Sequence, residues 1–389
     1  MTAPRRCYVH IGLPKTGTSY LQSIFWRSGV ALAEQDLAML PASKSTTFYL
    51  MLAIRGRLRE GMDPPVAFTA LDTFRQEAAE ARFSRALVTQ ELLSAATSKQ
   101  VGTLLGALDG YEVHLVVTVR DLATQIPSAW QQMVKARGVT PYGDYLENFT
   151  GGNRGGRPPR TYDLHGVLDR WGSHVPPGRV HIVTVPRRGT PAGVLLQRFC
   201  TVLKVDPGRL DTETNIANTS LGLVQAELLR RTNVALGDRL PHPRAGYRRQ
   251  GKGFLAGKVL RPQGGEPLRL PLHMADWCTE SSRSIVERLA NGGYDVVGDL
   301  DDLIPDASAF TRDDQEVSDA QVAQAAAAAL ASILVLRADE TKALARLKDR
   351  GTAPSRKLTS WQRQIGRLAS GPAGFRQRIR GGVSRLRRG

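Results

Sequence analysis

The sequence predicts an α/β fold: a P-loop-like three-layer architecture with a central parallel sheet, followed by a helical C-terminal extension. Short apolar runs, among them 7–11, 86–89, 112–121 and 180–185, alternate with stretches whose apolar residues recur at helical spacing. The first run opens directly into a glycine-bearing loop, and a helical pattern begins at once behind it. Strands that alternate with helices pair in parallel, because each crossover lays a helix against a face of the sheet.

The first element, Tyr8-Val9-His10-Ile11-Gly12-Leu13-Pro14-Lys15-Thr16-Gly17-Thr18-Ser19-Tyr20-Leu21-Gln22, organises the rest of the chain. Its apolar start reads as a buried strand, and Leu21, Ile24 and Phe25 mark the helix. A strand, a glycine loop and a helix N-terminus together form an anion site, since unpaired backbone N–H groups and the helix dipole both favour negative charge. Lys15 adds a cation, and Thr16, Thr18 and Ser19 add hydroxyl donors that can reach phosphate-like oxygens.

The spacing excludes a Walker A loop. Gly12 and Gly17 have the right separation for one, but Thr18 stands where the lysine belongs, and Lys15 lies two residues before Gly17.

Next in order, 36–40 reads as a short strand, and 48–58 and 67–83 as helices, the second capped near Thr69. The run 86–89 is a buried strand leading into Gln90-Glu91, and 98–108 is a helix. The segment 112–121 is a strand that ends in the charged pair Arg120-Asp121. Ala129, Trp130, Met133 and Val134 mark the helix after it, with Thr124 or Asp121 as its N-cap because Pro127 is tolerated only near a helix start. Residues 151–159 form a Gly/Arg/Pro loop, 164–171 a helix, 180–185 a strand and 193–202 a helix. Beyond these, 221–236 is an amphipathic helix that Asn218-Thr219-Ser220 can cap. Residues 240–271 are rich in Pro, Gly and Arg and read as a mobile insertion. Residues 274–289 return to helix, 306–319 form an acidic linker, and 320–348 an alanine-rich helix of good propensity.

The loop resembles the 5′-phosphosulfate loop of sulfotransferases that use 3′-phosphoadenosine 5′-phosphosulfate (PAPS), commonly written P-K-[ST]-G-T-[ST]; the opening H-I-G-x-P-K-T-G-T is similar to that of bacterial members. That family holds the 3′-phosphate with an arginine at a strand end and a serine eight residues later, a spacing that Arg120 and Ser128 share. The resemblance implies a set of roles. Pro14, Lys15, Thr16, Gly17, Thr18, Ser19, Arg120 and Ser128 would bind the PAPS co-substrate, with Lys15 also stabilising the departing bridging oxygen. A general base follows the second buried strand in the family, and Glu91 stands there, with His10 as the competing base. No metal is implied, and the histidines show no metal-ligand spacing. The late glycine- and lysine-containing nucleotide motif of many animal cytosolic members has only a loose counterpart in Arg248, Arg249, Gly251 and Lys252.

The implied activity is transfer of a sulfuryl group from PAPS to a hydroxyl acceptor such as a carbohydrate, a glycolipid or a small metabolite. Two other classes are a P-loop kinase or NTPase, and a catalytically silent nucleotide-binding or membrane-associated scaffold. The domain reading is 1–305 for the sulfotransferase-like unit, 306–350 for the linker and alanine-rich helix, and 351–389 for a basic tail.

Composition bounds the remaining expectations. A chain of 389 residues with 41 % apolar content can bury a sizeable core. Three well-separated cysteines point away from a disulfide framework. No signal peptide is evident, and the apolar run 325–336 is too short to span a bilayer, so the expectation is a soluble cytoplasmic protein. The formal charge of +17 suits an anionic ligand or surface; no motif argues for specific nucleic-acid binding. The tail carries no acidic residue. Its apolar residues Leu358, Trp361, Ile365 and Leu368, then Phe375, Ile379, Val383 and Leu386, recur at helical spacing, which fits peripheral association with an anionic inner membrane face.

Overall fold

The computed structural model describes residues 4–150, 158–191, 193–213, 220–240, 243–312 and 315–349. The basic tail 351–389, most of the 151–159 loop, and Asn218 and Thr219 of the expected cap lie outside the described residues. The chain divides into two compact units, Met1–Val322 and Ala323–Gly389.

The first unit is built on a parallel sheet. Its strands are β1 (Arg5–His10), β2 (Leu37–Met39), β3 (Arg85–Thr89), β4 (Tyr111–Val119), β5 (Val180–Thr184) and, after a separate two-residue strand β6 (Leu270–Pro271), β7 (Asp295–Val297). They are ordered β2-β3-β1-β4-β5-β7, all parallel; β6 pairs with β8 (Phe310–Thr311) in a small second sheet. The chain leaves β1 to one side for β2 and β3, then crosses to the other side for β4. The side on which successive strands are added therefore switches at β1, and the crevice at the C-terminal ends of β1, β3 and β4 is where such sheets bind ligands.

Both faces of the sheet are covered. Cys7, Val9, Val88, Leu115 and Val117 point into one core with Phe74, Val101 and Trp171, whereas Tyr8, Leu87, Val116 and Val183 point into another with Leu21, Phe25 and Phe199. Alternation of side chains along each strand delivers these two sets and makes the fold three-layered. Each fully buried side chain of this kind contributes about 1.5–3 kcal/mol. At the lower end of the sheet a hydrogen-bonded chain crosses three strands. Glu112 Oε1 meets His114 Nε2 at 2.9 Å, His114 Nδ1 meets His181 Nε2 at 2.8 Å, and His181 Nδ1 meets Asp295 Oδ2 at 2.6 Å. This polar chain ties down the edge strand β7, which has no fully buried residue of its own.

Several elements differ from expectation. The helix expected over 67–83 is two, Pro65–Phe68 and Ala70–Glu80, broken at Thr69. The helix after β4 begins at Leu122, capped by Asp121, whose carboxylate accepts from the Thr124 amide at 2.7 Å; Pro127 therefore lies inside it. The helix Leu223–Leu236 is capped at Gly222, without a side-chain acceptor. Residues 240–271, expected as a mobile insertion, carry regular structure: Pro243–Leu260 winds into a π-helix with Tyr247, Ala256, Val259 and Leu260 buried.

The helix Asp319–Asp349 crosses the boundary between the units. Its span Asp319–Arg346 contains an 18-residue window of mean hydropathy 1.5 and is long and apolar enough, by length and composition alone, to cross a membrane. The run 325–336 taken alone suggested otherwise; the uncharged Ala, Gln and Val residues before it lengthen the span.

Candidate functional site

Residues 11–17, between β1 and the helix Thr18–Arg27, form a loop whose backbone requires glycine at two points. Gly17, the N-cap, has φ 83, and a Cβ at Gly12 would lie 2.5 Å from Thr18 Cγ2 and 2.8 Å from Thr118 Oγ1. The cap supplies no side-chain acceptor to the first-turn amides, which leaves that end of the helix electropositive. Lys15 itself is in the left-handed region at φ 73, a strained conformation that clusters at ligand-binding sites.

The loop is braced from beneath by a hydrogen-bond chain whose proton order follows from its ends. The fully buried Thr16 donates its hydroxyl to the Leu13 carbonyl at 2.5 Å, so in the 2.6 Å contact between the two hydroxyls Thr118 must donate to Thr16. The lone pairs of Thr118 are then left for His10 Nε2–H at 3.2 Å, and His10 Nδ1 accepts from the Thr89 hydroxyl at 2.9 Å. The Gln22 amide closes the chain, donating to Glu91 Oε2 at 2.9 Å and to Thr89 Oγ1 at 3.4 Å. This corrects one expectation: the Thr16 hydroxyl is spent inside the loop and does not face an anion. It also assigns the competing base. His10 is 1 % exposed, both its nitrogens are used, and burial pushes its pKa down to about 3, so it is a neutral structural group.

Glu91 opens the turn Glu91–Ala95 directly after β3, partly exposed and oriented by Gln22. Its carboxylate is close enough to Lys15, Lys252 and Tyr162 to act electrostatically on all three. Burial holds the Lys15 ammonium below the usual lysine value; Lys252 and Arg120 add to this and Glu91 opposes it.

Arg120 follows β4. Its Nη1 donates to the Lys15 carbonyl at 3.4 Å, and its Nε stands 3.8 Å from Asp121 Oδ2, too far for a hydrogen bond. That buried Nε has no hydrogen-bond partner among the described residues. Gln125, in the next helix, donates to the Pro14 carbonyl at 2.9 Å and clamps the loop to that helix. Thr18 is buried, Ser19 is exposed at the helix start, and Ser128 is partly exposed on the helix Leu122–Lys135.

Sequence reasoning missed Lys135, Gln22, Gln125 and Tyr162, and placed Lys252 only loosely. Lys135 is the last residue of the helix that carries Ser128, seven positions on and so on the same face, a signal that could have been read. Burial pushes its pKa down to about 8, with Lys15, Lys252 and Arg261 contributing. Lys252 arrives from the helix Pro243–Leu260. That helix is pinned by buried Tyr247, whose hydroxyl donates to Asn233 Oδ1 at 2.5 Å, while the Asn233 amide donates to the carbonyls of Val134 and Gly138, each at 2.9 Å. The polar residues collected here can bind a polyanion, polarise an oxygen and accept a proton.

No family model matches the chain, and no curated protein is similar to it in sequence. It is similar to the crystal structure of a sulfotransferase from Alicyclobacillus acidocaldarius, at 15 % identity and a TM-score of 0.35, over 62 % of this chain and 97 % of the other. At that TM-score the superposition is too loose to assign roles, which rest on the loop and its neighbours.

Proposed function

We propose that the chain is a sulfotransferase that moves a sulfuryl group from PAPS to a hydroxyl of an acceptor such as a carbohydrate or glycolipid. The observation that supports this best is the convergence of three groups at adjacent strand ends: the Lys15 loop after β1, Glu91 after β3 and Arg120 after β4. A phosphosulfate on the first-turn amides of Thr18 and Ser19 would lie against the helix dipole. The terminal nitrogens of Arg120, of which Nη1 reaches the Lys15 carbonyl of the loop, suit the 3′-phosphate, a group that distinguishes PAPS from common nucleotides.

In this reading Glu91, held by Gln22, takes the proton of the acceptor hydroxyl as its oxygen attacks sulfur. The bond from sulfur to the 5′-phosphate oxygen breaks, and Lys15 neutralises the charge that develops on that oxygen. The products are a sulfate ester and adenosine 3′,5′-bisphosphate, and the proton leaves through Glu91. Little covalent help is required; in-line positioning and charge neutralisation carry the reaction.

The test is transfer of labelled sulfate from PAPS to a panel of hydroxyl acceptors by wild-type and Lys15→Ala protein. Loss of one transition-state donor lowers turnover by about 10²–10³. Turnover of the variant within threefold of wild type would remove Lys15 from the mechanism.

A further inference from the structure

Arg120 lines a small cavity of about 10 Å³. Its walls are mostly apolar, with Leu13, Leu122 and Ile285 among them, and Tyr162 also lines it; three further lining residues each carry an unpartnered polar atom: Arg120 Nε, Gln125 Oε1 and Ser282 Oγ. All three are buried and without a hydrogen-bond partner among the described residues; Gln125 is 0 % exposed and Ser282 1 %. They come from three elements: the end of β4, the helix after it, and the helix Ala275–Asn291.

The orientation of the Gln125 amide is determined by its other partner. A carbonyl only accepts, so the Pro14 oxygen at 2.9 Å must face the Gln125 nitrogen, and Oε1 is the atom left without a partner on this cavity-lining residue. The cavity therefore presents one obligate donor (Arg120 Nε–H), one obligate acceptor (Gln125 Oε1) and one hydroxyl that can do either. A single water satisfies this set, accepting from Arg120, donating to Gln125 and bonding Ser282; buried waters take two to four such partners in a space of roughly this size.

We propose that this cavity is a one-water site, and that Gln125 and Ser282 are positioning residues that hold the Arg120 guanidinium through it. Asp121 stands 3.8 Å from the same Nε and competes for it. With the water held, Nε is occupied from behind and the terminal nitrogens stay turned toward the loop. Without it, the guanidinium pairs with Asp121 and turns away from an incoming phosphate. This rests on the proposed role of Arg120 as the 3′-phosphate ligand.

Ser282 is the better residue to vary, because Gln125 also braces Pro14. Ser282→Thr and Ser282→Val have similar volume and differ in the hydroxyl. Affinities for adenosine 3′,5′-bisphosphate and adenosine 5′-monophosphate are measured by calorimetry for both variants, with Ser282→Ala as the smaller alternative and Arg120→Ala as reference. The expected result is a loss of about fivefold for the bisphosphate in Ser282→Val and Ser282→Ala, the scale of one net hydrogen bond, with the monophosphate unchanged and Ser282→Thr near wild type. If Arg120→Ala discriminates the two nucleotides and the Ser282 variants do not, the inference is overturned while the nucleotide reading stands. If Arg120→Ala itself fails to discriminate, both fall. Independently of any variant, a high-resolution crystal structure should show one ordered water bonded to all three atoms; an empty cavity there refutes the site.

Discussion

Lys135 makes the cationic character of the site measurable as a pH dependence. Burial and the neighbouring Lys15, Lys252 and Arg261 bring its pKa from 10.5 to about 8, which corresponds to at most about 3 kcal/mol against its charged form, less what solvent contact relieves. A bound polyanion stabilises the ammonium and raises the value again. Between pH 8 and 10.5 the free protein then holds fewer protons than the complex, so binding takes up a proton and affinity falls as pH rises. From pH 7 to pH 9 the fall is about tenfold if the complex restores the ordinary lysine value. The nucleotide's own phosphates, with second pKa values of about 6, are already ionised across most of this range. Calorimetric titration with adenosine 3′,5′-bisphosphate at both pH values, in buffers of different ionisation enthalpy, gives the affinity and the proton count together. Lys135→Met should bind more weakly at pH 7 and lose most of the pH dependence. If the variant keeps the wild-type slope, another group carries the proton and the placement of Lys135 at the site is wrong.

Three further outcomes follow from the loop and its bracing. Gly17→Ala forces a residue with a Cβ into φ 83, where the new atom meets Leu195 Cδ2 at 2.4 Å. The leucine end can yield but the backbone cannot, so urea unfolding should show a loss of about 1–2 kcal/mol; unchanged stability would mean that the loop does not hold this conformation. Glu91→Gln should lower kcat by about 10²–10⁴ with bisphosphate affinity retained, and Gln22→Leu, which removes the amide donor to Glu91, should lower kcat by about tenfold. Wild-type turnover in Glu91→Gln would displace it as the base.

The layers and the strand–loop–helix that carries Lys15 were legible because they depend on local pattern. Buried parallel strands read as apolar runs, and glycines between an apolar run and a helical pattern mark the loop. What was missed depends on distant partners. Strand β7 is three residues long with no buried position, and its place at the sheet edge is secured by His181 and Asp295, which no periodicity reveals. Residues 243–260 look like an insertion because Pro, Gly and Arg dominate them; Tyr247 bonded to Asn233 makes them a wall of the site. The Thr16 hydroxyl was assigned outward from residue type alone, whereas the buried neighbour Thr118, over a hundred positions away, turns it inward.

The most direct test of the account is which nucleotide the protein prefers. Calorimetric affinities for adenosine 3′,5′-bisphosphate, ADP and ATP, measured side by side without magnesium, separate a 3′-phosphate site from a polyphosphate site. The Lys15 loop with Arg120 beside it predicts that the bisphosphate binds at least about tenfold more tightly than either, the value of one charge-assisted hydrogen bond. Tighter binding of ATP or ADP would contradict the sulfotransferase reading.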